Sequence, residues 1–413
     1  MTTLITHIKS LVGIRENVSM LRGNDLGILP SIDNAFLLIE DGLIAGWGQM
    51  VDLNQKIPQL PAHIIDAKDQ FILPAWCDSH THLVFAGNRE NEFVDKLKGL
   101  SYAEIAAKGG GILNSAKQIQ EISEDELFVQ SWKRLQAVAK MGTGAIEIKS
   151  GYGLSVAAEL KMLRVIKKLK EKSSLSIKAT FLGAHTFPIE FKEDHPSYIK
   201  SITEEMLPVI AAEKLADYID VFCETGFFSP DEMEIICKAG LKHGLKSKLH
   251  INQLNSIGGL QTALDLKAIS VDHLETMTDK DIHDLAMSAT IGTLLPTAAF
   301  FLRMQYQPAR QLIDAGCAIA LASDYNPGSS PSGNMNFVVA LSCIQMKMLP
   351  EEAINAATLQ GAFAMELQNQ VGSISVGKNA NLIFTKPIPS IAYIPYSFGN
   401  NPVDKVMIKG EFI

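Results

Sequence analysis

Between about residue 70 and residue 370 the chain alternates short apolar runs with longer amphipathic stretches, and most of the runs stop on a polar, potentially reactive side chain. The runs end in the His80 segment and in residues 145–149, 179–185, 218–222, 247–250, 268–273, 290–295 and 318–324, which makes eight candidate strands. Stretches such as residues 157–171 and 351–367 have the apolar spacing of helices that cover a sheet. Strand and helix in alternation require a parallel sheet with crossover helices. Eight such units predict a (β/α)8 barrel, a TIM-like α/β fold whose reactive groups gather on the rim at the strands' C-terminal ends.

The two ends of the chain have a different texture. Residues 35–39 and 43–47 are apolar runs around the turn Glu40-Asp41-Gly42, a hairpin pattern. Residues 381–384 and 406–412 repeat it, separated by a loop containing Pro387, Pro389, Pro395 and Pro402. Chain termini often lie close together, so residues 1–69 and 371–413 are expected to form one small discontinuous β-sandwich domain beside a barrel of residues 70–370. A chain of 413 residues, 47% hydrophobic and 20% charged, has enough apolar material for this.

Acidic residues outnumber basic ones by 45 to 37, a net charge of -8, which argues against nucleic acid or an anionic membrane as partner. The basic cluster Lys167 to Lys172 has the spacing of one solvated helix face. Cys77, Cys223, Cys237, Cys317 and Cys343 are widely spaced, as in a reduced cytoplasmic protein. The first residues carry no export signal, and the longest apolar stretch, residues 291–302, is broken by Pro296 and too short to span a bilayer. Sequence leaves the assembly open, with a homodimer as one expectation.

His80 and His82 are two positions apart, so on a strand both rings face the same way and can converge on one metal ion. His250 and Asp324 close apolar runs that a barrel brings to the same rim, and they are the expected third and fourth ligands. Three imidazoles and a carboxylate suit one divalent ion, Zn²⁺ or Fe²⁺, between which sequence does not choose. His273, after Asp272, is a further candidate and is expected behind the ligands.

This pattern resembles the amidohydrolase superfamily. Longer stretches, including residues 80–89, 147–154, 181–185, 220–224 and 323–329, are similar to the members that open the cyclic amide of an imidazolone bearing a propanoate tail. The resemblance implies metal ligands His80, His82, His250 and Asp324. It also implies substrate contacts from Arg89, Tyr152, His185, Gln253 and Ser329, with Asn326 and Gly328 touching product. Departures from that pattern fall at Ala75, Trp76, Ala116 and Gln120, and none touches a ligand.

Such ring opening needs a nucleophilic water, a stabilised oxyanion and a proton for the departing nitrogen. A bound divalent metal lowers the pKa of its water to about 7 and supplies hydroxide to attack the cyclic amide carbonyl. Asp324 is expected to take the water's proton and to be able to pass it on, with the acid role open to Asp324, His185 or His273; His273 is expected to hold the hydroxide or polarise the carbonyl, and His185 to touch the ring near the scissile bond. Gln253 has no titratable proton and is left with orienting the substrate. Arg89, read alone, is a partner for Glu90 or Glu92; the resemblance makes it the clamp on the propanoate. Gly109-Gly110-Gly111 lacks a following Lys-Ser or Lys-Thr, so a mobile loop is expected rather than a phosphate cradle. A heterocycle deaminase, a binuclear hydrolase bridged by a carboxylated lysine and a non-catalytic barrel remain the alternatives.

Overall fold

The computed structural model describes residues 1–100, 104 and 110–413, so Gly109 and the start of the expected glycine loop lie outside the described residues. The chain begins with β1 (Thr2–Val12), β2 (Ser31–Glu40), β3 (Leu43–Gln49), β4 (His63–Asp66) and β5 (Phe71–Pro74). β2 and β3 pair with Ile39 opposite Ile44 and Glu40 opposite Leu43, leaving Asp41-Gly42 as the loop. Both loop residues have positive φ, 49° and 80°, the requirement of a two-residue turn that matches strand twist and the reason Asp-Gly marked the hairpin.

The next eight strands are β6 (Trp76–Asp78), β7 (Thr143–Lys149), β8 (Ser176–Ala184), β9 (Tyr218–Cys223), β10 (Lys246–Ile251), β11 (Ser270–His273), β12 (Ile291–Leu294) and β13 (Ile319–Leu321). They pair in parallel in sequence order. Past the strand ends, Asp324 N donates to His80 O at 3.0 Å and His82 N to Tyr325 O at 2.9 Å, so the last segment meets the first and closes the (β/α)8 barrel. Then β14 (Leu382–Thr385), β15 (Val403–Ile408) and β16 (Glu411–Phe412) return to the first sheet, whose order is β16-β15-β14-β5-β1-β2-β3 with β4 also on β1. That sheet has its own core, including Ile5, Ile8, Leu37, Ile72, Leu382 and Met407.

The outer helices follow ordinary rules. Val156–Lys172 is capped by Ser155, which accepts from Ala158 N, and it buries Leu160, Leu163, Ile166 and Leu169. Its outward Lys168 lies 2.8 Å from Glu124 and 3.2 Å from Asp125, the solvated role expected of that basic cluster.

Two local expectations need correction. The strand expected to end in the His80 segment is only Trp76–Asp78 and stops before His80, and residues 71–74 just ahead of it are β5 of the terminal sheet. The rings still share a side because Thr81 between them bridges to Tyr325, which keeps the alternation of extended backbone. The helix expected over 351–367 runs from Pro350 to Ala364 through a wide π-turn at Ala356–Gln360; Glu366, in the left-handed region at φ 54°, stops it. Among the described residues no helix is long and apolar enough to cross a membrane. All five cysteines are free.

Candidate active site

His80 and His82 follow β6, His250 lies near the end of β10, and Asp324 lies three residues past β13. All four are buried. His82 Nε2 is 3.3 Å from His250 Nε2, and Asp324 Oδ1 is 3.6 Å from His80 Nε2 and 3.5 Å from His82 Nε2. Four donors around one ion at bonds of about 2.0–2.1 Å would be separated by roughly 3.4 Å in a tetrahedron. The measured separations match that spacing. His80 Nε2 is buried with no hydrogen-bond partner among the described residues, as a lone pair aimed at an ion would be. Burial, reinforced for His80 and His250 by the Lys149 cation and for His82 by His185, holds all three imidazoles well below their usual pKa and keeps them neutral, the form that ligates.

Carboxylates behind the ring set its tautomers. His80 Nδ1 meets Asp272 Oδ2 at 2.7 Å and His250 Nδ1 meets Asp220 Oδ2 at 2.7 Å, so each Nδ1–H is committed and each Nε2 faces the cluster. Lys149 Nζ lies 2.7 Å from Glu147, 2.9 Å from Asp220 and 3.7 Å from Asp272, a single cation shared by three buried carboxylates. Lys248 adds a second cation, 3.1 Å from Glu147. His82 Nδ1 has no partner among the described residues, so nothing there sets its tautomer.

His273 ends β11 with φ 91°, a strained value for a side chain of this kind, and Asp324 has φ 51°. That turn brings His273 into the group, where it forms a second potential donor set with His80 and Asp324. Its Nδ1 is 3.4 Å from Glu275 Oε1. Burial opposes its charge, but Glu275, Asp324 and Asp272 raise its pKa above the usual value. Asp324 is pushed up to about 6, first by burial, against the pull of His273 and of hydrogen bonds from Asn326 and Ser329.

Of the expected substrate contacts, Tyr152, His185, Asn326 and Ser329 lie against this cluster. His185 stacks on His82 with ring centroids 5.3 Å apart, and Tyr152 is 5.3 Å from His185. His185 Nδ1 is tied to Gly151 O at 3.0 Å, and burial pushes the ring down to about 4, so at neutral pH it presents an uncharged Nε2. Asn326 Oδ1 accepts from Gly328 N and Ser329 N at 2.8 Å, and Ser329 Oγ donates to Asp324 Oδ2 at 3.2 Å. Arg89 donates through Nε and Nη2 to Glu92 Oε2, at 2.8 and 2.6 Å, while its Nη1 is packed against Gly328 so closely that a Cβ there would lie 2.3 Å away. One edge of the guanidinium is therefore held by Glu92, and the arginine sits beside the turn that carries Asn326 and Ser329. Gln253 is half-buried, two residues beyond β10.

The family model described as "Amidohydrolase family" matches residues 71–413. An imidazolonepropionase of Flavobacterium johnsoniae is 56% identical over all of both chains, and one of Flavobacterium psychrophilum is 55% identical, again over the full length of both. The chain belongs to the amidohydrolase family, on its imidazolonepropionase branch. Among solved structures, a guanine deaminase of E. coli superposes with a TM-score of 0.75 at 12% identity, covering 100% of this chain and 99% of that one. An adenosine deaminase from Xanthomonas campestris with bound zinc gives 0.70 at 16%, covering 99% and 92%. At such identities these two likenesses speak for the fold alone.

For an amidohydrolase, the converging neutral imidazoles and Asp324 fit one divalent metal ion. The alternative of a bridging carboxylated lysine finds no support at Lys178, which lies at the far end of β8 from His185, with Nζ 3.3 Å from Asp217. Lys149 is near the ligands, but its Nζ is already engaged by carboxylates. Sequence reading missed Asp220, Asp272, Lys149 and Glu275 as parts of this amidohydrolase site. Their signal was present: charged residues inside or at the end of apolar runs, where burial is costly unless a partner is built in. The departure Gln120 also has a role, donating to Gly153 O at 3.1 Å next to Tyr152.

Proposed function

We propose that this chain hydrolyses 4-imidazolone-5-propanoate to N-formimidoyl-L-glutamate, a step of L-histidine degradation, with the (β/α)8 barrel as the catalytic unit working in the cytoplasm. The observation that carries the reaction type is the convergence of three imidazole nitrogens and Asp324 Oδ1 at 3.3–3.6 Å. The substrate follows from the full-length identity of 54–56% to imidazolonepropionases.

His80, His82, His250 and Asp324 hold one ion, Zn²⁺ or Fe²⁺. When bound, a divalent ion lowers the pKa of its water to about 7 and supplies the nucleophile. Asp324 accepts the water proton and delivers it to the departing ring nitrogen; its raised affinity for protons suits a group that must take one and give it back. His273, whose affinity for protons Glu275 raises, faces the carbonyl oxygen where negative charge develops. His185 is neutral and receives a ring N–H through Nε2. Gln253 orients the ring by hydrogen bonding. Arg89 pairs with the propanoate through the edge that Glu92 leaves free, with Tyr152, Asn326, Gly328 and Ser329 as the further contacts.

The test is conversion of imidazolonepropionate to formimidoylglutamate by purified protein, abolished by a chelator and restored by metal. Elemental analysis should give one equivalent of zinc or iron. Release of ammonia from aminated purines or pyrimidines without ring opening of imidazolonepropionate would replace this reading with the deaminase one, and two equivalents of metal would replace the single-ion site.

A further inference from the structure

Two substrate-facing turns of this site share a construction that the metal chemistry does not explain. The first is Gly151-Tyr152-Gly153-Leu154, after β7. Gly151 has φ 111° and Leu154 φ 51°, so the backbone on either side of Tyr152 is in the left-handed region, an uncomfortable one for leucine. Glu159, in the first turn of the following helix, reaches back beneath this turn. Its Oε1 accepts from Gly153 N at 2.6 Å and Leu154 N at 3.1 Å, and its Oε2 from Gly151 N at 3.0 Å. The carboxylate is fully buried. Gly153 packs so tightly on the helix start that a Cβ would lie 2.4 Å from Glu159 N.

The second turn follows β10. Asn252, at φ 55°, turns the chain, and Gln253 comes next. Glu224, one residue past the end of β9 and buried, accepts through Oε2 from Leu254 N at 2.8 Å and Asn255 N at 3.1 Å. Its Oε1 accepts from Thr225 N at 2.8 Å and Asn255 Nδ2 at 3.1 Å. In both places a strained backbone presents one site side chain, and the neighbouring amide groups are gathered onto one buried carboxylate. Hydrogen bonds from neutral amides to a carboxylate are about twice as strong as those to a neutral acceptor.

We propose that Glu159 and Glu224 are positioning residues, each clamping one strained turn so that Tyr152 and Gln253, respectively, stand ready against the substrate. The inference rests on the roles given above to Tyr152 and Gln253. Neither glutamate touches a metal ligand in the hydrogen-bond network, so its effect falls on substrate recognition and leaves the metal in place.

The experiment uses the metal-loaded, full-length protein and four variants, Glu159→Ala, Glu159→Gln, Glu224→Ala and Glu224→Gln. Amide hydrogen exchange is followed over residues 150–155 and 252–256, together with KM and kcat for imidazolonepropionate and metal content. In Glu159→Ala the amides of Gly153 and Leu154 should exchange about tenfold faster or more, as expected from losing hydrogen bonds worth on the order of 1.4 kcal/mol. Residues 252–256 should not change, and the Glu224 variants should show the reverse. KM should rise more than kcat falls, metal content should stay at one equivalent, and the Gln variants, which keep one acceptor oxygen, should be intermediate. Should an Ala variant fail to fold, its Gln counterpart carries the comparison. Unchanged exchange in the turn facing the substituted glutamate, loosening of both turns at once, or loss of metal would overturn the proposal. Absence of turnover in the parent protein would instead refute the substrate assignment, and the exchange arms would still decide whether the clamps exist.

Discussion

Asp272 Oδ2 receives the Nδ1–H of His80 at 2.7 Å, with neither side chain exposed to solvent, and Lys149 Nζ stands 3.7 Å from the same oxygen. A histidine held this way offers only Nε2 to an ion. Asp272→Asn keeps the shape but weakens the acceptor and admits the other tautomer. Metal affinity, measured by competition with a chelator, should fall about 10- to 100-fold, the usual cost of losing such a partner. An unchanged affinity would mean that the carboxylate does not orient His80.

Asp324 is assigned both a ligand oxygen and the proton transfer. Asp324→Asn can retain a carbonyl oxygen near the imidazoles but cannot accept the water proton. In protein reloaded with metal, kcat should drop by about 10²- to 10⁴-fold or more, in line with removal of a general base. Substantial turnover in the metal-replete variant would take the proton shuttle away from this residue.

The guanidinium of Arg89 is fixed at one edge by Glu92. Arg89→Met removes the charge while keeping much of the stem. The lost charge-assisted hydrogen bonding is worth about 1.5–3 kcal/mol, a rise in KM of roughly 10- to 100-fold. Steady-state kinetics would show it, and an unaltered KM would disqualify Arg89 as the propanoate clamp.

Gly328 gives a subtler test. Its added Cβ would lie 2.3 Å from Arg89 Nη1, the tip of a long side chain that can be displaced without disturbing the fold. Gly328→Ala should therefore leave the melting temperature within a degree or two of the parent while raising KM by about tenfold, since small misplacements of a positioning group are costly. A large loss of thermal stability with unchanged KM would contradict this division.

The barrel was legible because apolar runs ending on polar residues repeat at regular intervals, and the hairpin because Asp41-Gly42 can take positive φ twice. The positions of His80, His250 and Asp324 on one rim follow from strand ends alone. What sequence could not supply is which side chains meet across the barrel. Asp220 and His250 belong to neighbouring strands, but Lys149 comes from β7 and touches Asp220 on β9 across an intervening strand. Such a contact depends on barrel curvature, not on chain spacing. The Arg89–Glu92 pair shows the opposite case: local spacing found it, but spacing does not reveal that Gly328 lies against the remaining end of the guanidinium.

The backbone bonds from Asp324 N to His80 O and from His82 N to Tyr325 O join the first barrel segment to the last. A ribosome delivers these two segments at opposite ends of the barrel's synthesis, so a nascent chain halted before β13 holds only the imidazole portion of the ligand set. The four-donor set proposed for the ion is therefore completed only when the ring closes.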